Sequence, residues 1–234
     1  MKIKVLGSSS SGNSYVLETE NGRLILDAGV KLNEIMRAIR FEPESVAACL
    51  VTHSHRDHSQ SAYDLARRGV RVLSCNEVAE QTEGVEPCLP RIIESFPDKG
   101  FWAVPFDVPH GDTECYGYLI VTNEGDRLLY ATDYEYIPYN FREQRLTHML
   151  IECNYASSDT LIHEAKYEHV LKGHSSLQTA LGVVEANMTY ALRCVVLCHV
   201  SAVEDGEAMR EQVQNLVGEN VAVYVARKGD VYEY

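Results

Sequence analysis

The run Val51-Thr52-His53-Ser54-His55-Arg56-Asp57-His58 gathers four metal-binding side chains within six positions. It follows the apolar stretch 46–51, which reads as a buried strand. In extended chain, residues two apart point the same way, so His53 and His55 can converge on one ion. Asp57 and His58 lie past the strand end, where the chain runs into a helix, and can face a second ion beside the first. Neutral imidazole suits zinc, and a carboxylate widens the choice to manganese or iron. Two such ions side by side can clamp an electrophile's oxygen, which is the chemistry of hydrolysis.

Two ions need more ligands than one short run supplies. His110 stands in Val108-Pro109-His110-Gly111-Asp112, Asp133 in Ala131-Thr132-Asp133, and His199 in Leu197-Cys198-His199. Each follows a strand-like segment, and in layered α/β folds strand ends form the rim where sites assemble. Alone, each reads equally well as a surface loop residue. Together with the first run they complete seven candidate ligands: His53, His55, Asp57, His58, His110, Asp133 and His199. His148, His163 and His169 have no such placement and read as structural or solvent-exposed.

His174 directly precedes Ser175-Ser176-Leu177-Gln178, a Ser-x-x-Gln capping box. A helix N-terminus carries free N–H groups and favours an anion. A histidine there can contact a phosphate oxygen and protonate a leaving alcohol; the competing reading is simple packing before the helix. The small-residue loop Ser8–Asn13 can present backbone N–H groups to a phosphate, with Ser11 and Asn13 as candidate contacts, or be only a tight turn. Tyr134, Tyr136 and Tyr139 read as cleft-lining residues able to stack on bases, or as loop packing.

The elements that must position these residues follow from periodicity and turn signals. Strands are expected at 3–6, 15–18, 23–26, 46–51 and 70–73, with helices at 32–39 and 61–68. A second β-rich stretch covers 101–108, 116–121 and 128–131. It is followed by a strand at 148–151, helical segments at 158–171 and 175–187, a strand at 194–198, a helix at 204–216 and a strand at 221–226. Strands followed by helices thus occur twice. The pattern predicts an α/β fold, a four-layer αβ/βα sandwich, in one domain over residues 1–234.

Composition narrows the partners. The 234 residues are 45% hydrophobic and 24% charged, as in a folded globular protein. Lys+Arg is 21 against Asp+Glu 34, a net charge of −13, which excludes a broad basic coat for duplex nucleic acid. Seven cysteines without a Cys-x-x-Cys pair suggest core packing in a reducing cytoplasm. No run approaches membrane-span length, and no targeting segment or lipidation site is visible.

His53-x-His55-x-Asp57-His58, then His110, Asp133 and His199 in that order, resemble the metallo-β-lactamase superfamily; Asp27-Ala28-Gly29 is similar to the Asp-x-Gly that precedes its His motif. Within it, several segments resemble the YycJ/WalJ-type hydrolases: Gly7–Asn13, His110 with Gly117-Tyr118, Ile151–Tyr155, Lys172–Ser175, and Val223–Gly229. Ser59-Gln60-Ser61 departs from the pattern, which usually has glycine soon after Asp-His. The resemblance implies that His53, His55 and His110 hold one divalent metal ion, that Asp57, His58 and His199 hold the other, and that Asp133 bridges them. His174 is similar in position to a histidine of ribonuclease Z-like phosphodiesterases, and Glu152 then matches the glutamate that orients it.

The expectation is therefore a metal-dependent hydrolase that attacks with a hydroxide shared by two ions, zinc or manganese or iron. Asp57, His174 and Glu152 are the catalytic candidates, and His174, Ser175, Ser11 and Asn13 the substrate contacts. The WalJ-type resemblance implies exonuclease activity on DNA, and the charge fits a strand end or small nucleotide ester better than a long duplex. A thioester or lactone hydrolase and a non-catalytic sensing module are the alternatives. Oligomeric state is not readable from the sequence.

Overall fold

The computed structural model describes residues 1–157 and 172–233. The helical segment expected at 158–171, with His163 and His169, lies outside the described residues. Two seven-stranded sheets face each other. In the first, β1 (Lys2–Gly7), β2 (Ser14–Glu18) and β3 (Arg23–Leu26) form an antiparallel meander, and β4 (Val46–Leu50), β5 (Val72–Ser74) and β6 (Val85–Pro87) continue it in parallel. In the second, β7 (Glu94–Phe96), β8 (Phe101–Val108), β9 (Cys115–Thr122) and β10 (Arg127–Ala131) are antiparallel neighbours. There β11 (His148–Glu152), β12 (Cys194–Cys198) and β13 (Ala222–Val225) continue in parallel. The last strand, β14 (Val231–Glu233), returns to pair antiparallel with β1 and completes the first sheet. With it, each sheet has three antiparallel pairings followed by three parallel ones.

Parallel neighbours need crossovers, and helices supply them except between β10 and β11, where a single short turn at Arg142–Gln144 intervenes. The helices α1 (Leu32–Ala38), α2 (Arg56–Ser59), α3 (Ala62–Ala66) and α4 (Asn76–Gln81) belong to the first half; α5 (Leu177–Asn187) and α6 (Gly206–Val217) pack on the second sheet. Residue alternation along the strands builds the layers. Leu128, Tyr130, Leu150 and Val196 enter the core shared by the two sheets, whereas Leu129, Ala131, Met149, Ile151, Val195 and Leu197 pack beneath α5 and α6. The result is the expected four-layer αβ/βα sandwich.

Most expected elements occur within two residues of their predicted ends. The short strands β7 and β14 carry too few residues for a periodic signal. The capping box is corrected by one residue: Ser176, not Ser175, caps α5, its Oγ accepting the Thr179 N–H at 3.1 Å. Ser175 stands one residue before the cap: its N–H donates to the Glu152 carboxylate at 3.0 Å, its Oγ to Ser176 O at 3.3 Å, and Ser176 pairs with Tyr155. All seven cysteines are buried and free, as their core role requires. Among the described residues no helix is long and apolar enough to cross a membrane.

Candidate metal centre

The candidate ligands gather at one rim of the sandwich. The parallel strands of both sheets end there, so each strand end delivers its next residues to the same cleft. Three overlapping groups have ligand atoms within 4.8 Å of one another: His53, His55, His110 and Asp133; Asp57, His58 and His199; and Asp133, Glu152, His174 and His199. Asp133 joins the sets. Its Oδ1 lies 3.4 Å from His58 Nε2 and 3.3 Å from His199 Nδ1, and its Oδ2 lies 3.9 Å from His53 Nε2.

The backbone makes the same move three times at this rim. Asp27, Asp133 and His199 follow β3, β10 and β12 in the left-handed region, with φ of 56°, 52° and 51°. For residues other than glycine this conformation is strained, and such strain persists where the surroundings fix it. Here it turns each side chain back over its strand end. The loops interlock beneath: Asn13 N–H donates to Asp57 O at 2.7 Å, Ala28 N–H to His58 O at 2.7 Å, and Gly29 N–H to Asn13 O at 2.8 Å. Only glycine fits at position 29, since a Cβ there would stand 1.6 Å from Asp57 O.

Hydrogen bonding dictates which nitrogens are left as electron-pair donors. His110 Nδ1 lies 2.7 Å from Gly173 O, which only accepts, so this nitrogen carries the proton and Nε2 keeps its lone pair. Thr52 Oγ1 donates to Asp27 and accepts from His53 Nδ1 at 3.0 Å, which again frees Nε2. Both lone pairs point at His55 Nδ1, at distances of 3.0 and 3.2 Å. One proton on that nitrogen can serve only one of them, whereas a cation among the three would serve all. In the second set His58 Nδ1 donates to Asp27 Oδ2 at 2.8 Å. His199 Nδ1 donates to Glu152 Oε1 at 2.9 Å, leaving its buried Nε2 without a hydrogen-bond partner and 3.8 Å from Asp57 Oδ2. The donor sets therefore fit divalent cations, with imidazoles oriented from behind by carboxylate and carbonyl groups as metal-binding histidines are.

The charges divide the two sets. Burial holds the pKa of His53 well below the usual imidazole value, and burial likewise lowers His110, so both are neutral donors. Burial also opposes protonation of His58, but the Asp133 and Asp27 carboxylates outweigh it and raise its pKa. His199 is pushed up to about 10: burial opposes this, and Asp133, Asp57 and Glu152 overcome it. Asp133 is buried and Asp57 half-buried, yet the neighbouring His199 and His58 hold both carboxyls below their usual range. The His58 and His199 imidazoles are thus driven towards protonation, whereas His53 and His110 are driven away from it.

His174 sits beside the ligands, its Nδ1 2.8 Å from Glu152 Oε1 and 3.8 Å from Asp133 Oδ2. Burial works against its protonation, but Glu152 prevails and raises its pKa. Glu152 is wholly buried and accepts four N–H groups: His174 and His199 on Oε1, Tyr134 and Ser175 on Oε2. Ser175 and Asn13, expected as substrate contacts, are both fully buried. Ser175 instead braces Glu152, while Asn13 sets its amide nitrogen 2.9 Å from His58 Nε2 and 3.3 Å from Asp57 Oδ2. Ser11 is exposed. Tyr134 is buried, its hydroxyl donating to Glu152 O at 3.3 Å, and Tyr139 packs on Phe106 and Phe141, so the packing reading holds for both.

Sequence reasoning missed the supports. Thr52 relays Asp27 to His53, and Tyr130 reaches across from the second sheet to donate to Asp27 Oδ2 at 2.5 Å. Tyr118 similarly donates to Val51 O at 2.7 Å. The one available signal was the alternation that turns Tyr118 and Tyr130 towards the first sheet.

Comparison with known proteins agrees with this geometry. Residues 9–80 match the family described as the metallo-beta-lactamase superfamily. A segment of 79 residues is 40% identical to the exodeoxyribonuclease WalJ of Streptococcus pneumoniae serotype 2 (strain D39 / NCTC 7466), covering 32% of this chain and 29% of that protein. The matched segment thus spans under a third of that relative's length. The metallo-beta-lactamase fold protein YhfI from Bacillus subtilis superposes with a TM-score of 0.77 at 17% identity, covering 99% of each chain. Human tRNase Z, short form (ELAC1), superposes with a TM-score of 0.68 at 16% identity, covering 100% of this chain and 99% of that one. The region that matches the family in sequence is the one that carries the His-x-His-x-Asp-His run, and the remainder matches in fold; the chain has the metallo-β-lactamase fold and is related to the hydrolases of that superfamily.

Proposed function

We propose that the chain is a two-metal phosphodiesterase that acts on nucleic-acid ends, DNA foremost, or on a small nucleotide ester, as one domain. The observation that carries this reading is the His174–Glu152 pair at the edge of the ligand set. His53, His55 and His110 would hold one ion, Asp57, His58 and His199 the other, with Asp133 between them. When bound, such ions, zinc or manganese or iron, supply Lewis-acid charge at a phosphoryl oxygen and acidify water.

The side chains divide the remaining work. Glu152 outweighs the cost of burying His174 and raises its pKa, which favours a proton on this ring to give to the departing oxygen. Glu152 holds the Nδ1 edge of that ring, which fixes the direction of transfer. Asp57, kept ionised by His199 and His58 against its burial, is a weak base and serves to orient the attacking water. The sequence similarity to an exodeoxyribonuclease supports DNA, and the charge of −13 favours a strand end over a long duplex. Seven buried, free cysteines support a reducing cytoplasm.

The test pairs elemental analysis with three substrates, an activated phosphodiester, a thioester and a lactone, each with manganese or zinc. Phosphodiester turnover should dominate. Preference for either other substrate refutes the reading, and metal-loaded protein inert to all three would mark a sensing module. His174→Ala should retain its metals and lose about two to four decades of phosphodiester turnover; unchanged turnover removes His174 from the mechanism.

A further inference from the structure

A cavity of about 500 Å³ opens beside the metal centre, on the side of the Ser8–Asn13 loop. Three of its wall residues are tied to the candidate ligands. Ser8 Oγ accepts the His199 N–H at 2.9 Å; Gly12 precedes Asn13, which braces Asp57 and His58; and Gln60 caps the short helix that carries both. None of the candidate ligands lines the cavity itself; it shares these three supports with the cluster. Its outer wall is cationic, with Lys31 from the segment before α1 and Arg227 and Lys228 from the loop between β13 and β14. Among the described residues Glu34 is the one acid lining it, and it pairs with Lys228. Arg227 approaches Glu207 at 3.9 Å, with both side chains more than half exposed. Ser9 and Ser11 add hydroxyls, 2.8 Å apart, to its exposed lining. In a chain of net charge −13, three cations and two hydroxyls from three separate segments converge on one hollow next to the centre.

We infer that this cavity is a subsite for a backbone phosphate of a single strand, next to the phosphate that reacts. The inference rests on the phosphodiester reading and deepens it. Solvated lysines on flexible stems suit a phosphate contact that carries no base information, and hydroxyls add hydrogen bonds to its oxygens. Glu34 tempers the subsite by occupying Lys228, so it sets the affinity rather than blocking the site.

The test measures binding of a fluorescent, cleavage-resistant phosphorothioate oligothymidylate with a 5′-hydroxyl end to the full chain, manganese present, by anisotropy over a range of salt. Replacing Lys31→Gln and Lys228→Gln together should weaken binding roughly five- to tenfold at about 0.1 M salt and flatten the log–log salt slope by about 0.7 per cation. Glu34→Gln should strengthen binding roughly threefold, a gain that damaged folding cannot produce. Lys99→Gln, packed on Gly22 at the far end of β3, should change neither quantity. The inference is overturned if wild type does not bind, if the lysine pair behaves like Lys99→Gln, or if Glu34→Gln fails to strengthen binding. Thermal stabilisation by inorganic phosphate alone that depends on Lys31 and Lys228 would make the cavity a free-anion site and also overturn it. Wild-type turnover of bis(nitrophenyl) phosphate reports separately on the phosphodiester reading, so failure of one is not failure of the other.

Discussion

Glu152→Gln isolates the logic of the site because it preserves shape and removes one acceptor. The carboxylate now serves four N–H groups, two on each oxygen. The glutamine carbonyl can serve only two. The backbone N–H groups of Tyr134 and Ser175 have no alternative chemistry, and leaving either unpaired in the interior costs about 1–3 kcal/mol. The carbonyl should therefore take them, and the amide NH₂ should face the imidazoles. His199 Nδ1 must then accept, which moves its proton to Nε2, the buried nitrogen now without a partner. A protonated Nε2 cannot ligate. The set of Asp57, His58 and His199 should lose affinity by about 10- to 100-fold, roughly 1.4–2.8 kcal/mol, the usual consequence of removing a group that orients a ligand. The set of His53, His55 and His110 should keep its ion, because its supports are Thr52 and Gly173. Titration of metal-free protein with zinc, followed by elemental analysis after passage through a chelating column, should find the stoichiometry falling from about two towards one. Equal weakening of both sites, or of neither, would refute the tautomer argument.

Gly29→Ala should prevent the interlock of residues 13, 28–29 and 57–58, because the new Cβ would meet Asp57 O at 1.6 Å; a loss of about 3 kcal/mol or more in urea unfolding is expected, and near-wild-type stability would contradict the packing. Metal-free protein should grow less stable as pH rises from about 6.5 to about 10, since His199 contributes fully below its unfolded pKa and that contribution fades as pH passes its folded value of about 10. On the acid side, Asp57 and Glu152, both lowered, contribute above the ordinary carboxylate range and lose that contribution as pH falls, so the metal-free urea midpoint should peak between about pH 5 and 6.5. Metal held by His199 would displace its proton, so loading should flatten the alkaline limb; a metal-free profile already flat there would sink the charge assignment.

The parts of the site that were legible in the sequence are those that depend on local chain geometry. His53 and His55 share a direction because they lie two apart at a strand end, and His110, Asp133 and His199 declare themselves by following strands. The fold was legible for a similar reason: strands and helices long enough to show periodicity alternate twice. What stayed hidden depends on contacts across long stretches of chain. Nothing near Tyr130 announces that its hydroxyl meets Asp27, 103 positions away. Nothing near Ser175 announces that its N–H will reach the Glu152 carboxylate, 23 positions away. Asn13 read as a loop residue open to substrate because the burial created by Asp57 and His58 is a property of the assembled fold.

The left-handed turns at Asp27, Asp133 and His199 bear on how this protein can change over generations. Glycine at any of them would relieve an unfavourable backbone conformation of about 1 kcal/mol or more, while deleting a carboxylate or imidazole that the rim depends on. A copy released from selection could therefore become sturdier as it lost its chemistry. Glycine at these three positions in an otherwise intact descendant would be the mark of a scaffold kept for some other purpose.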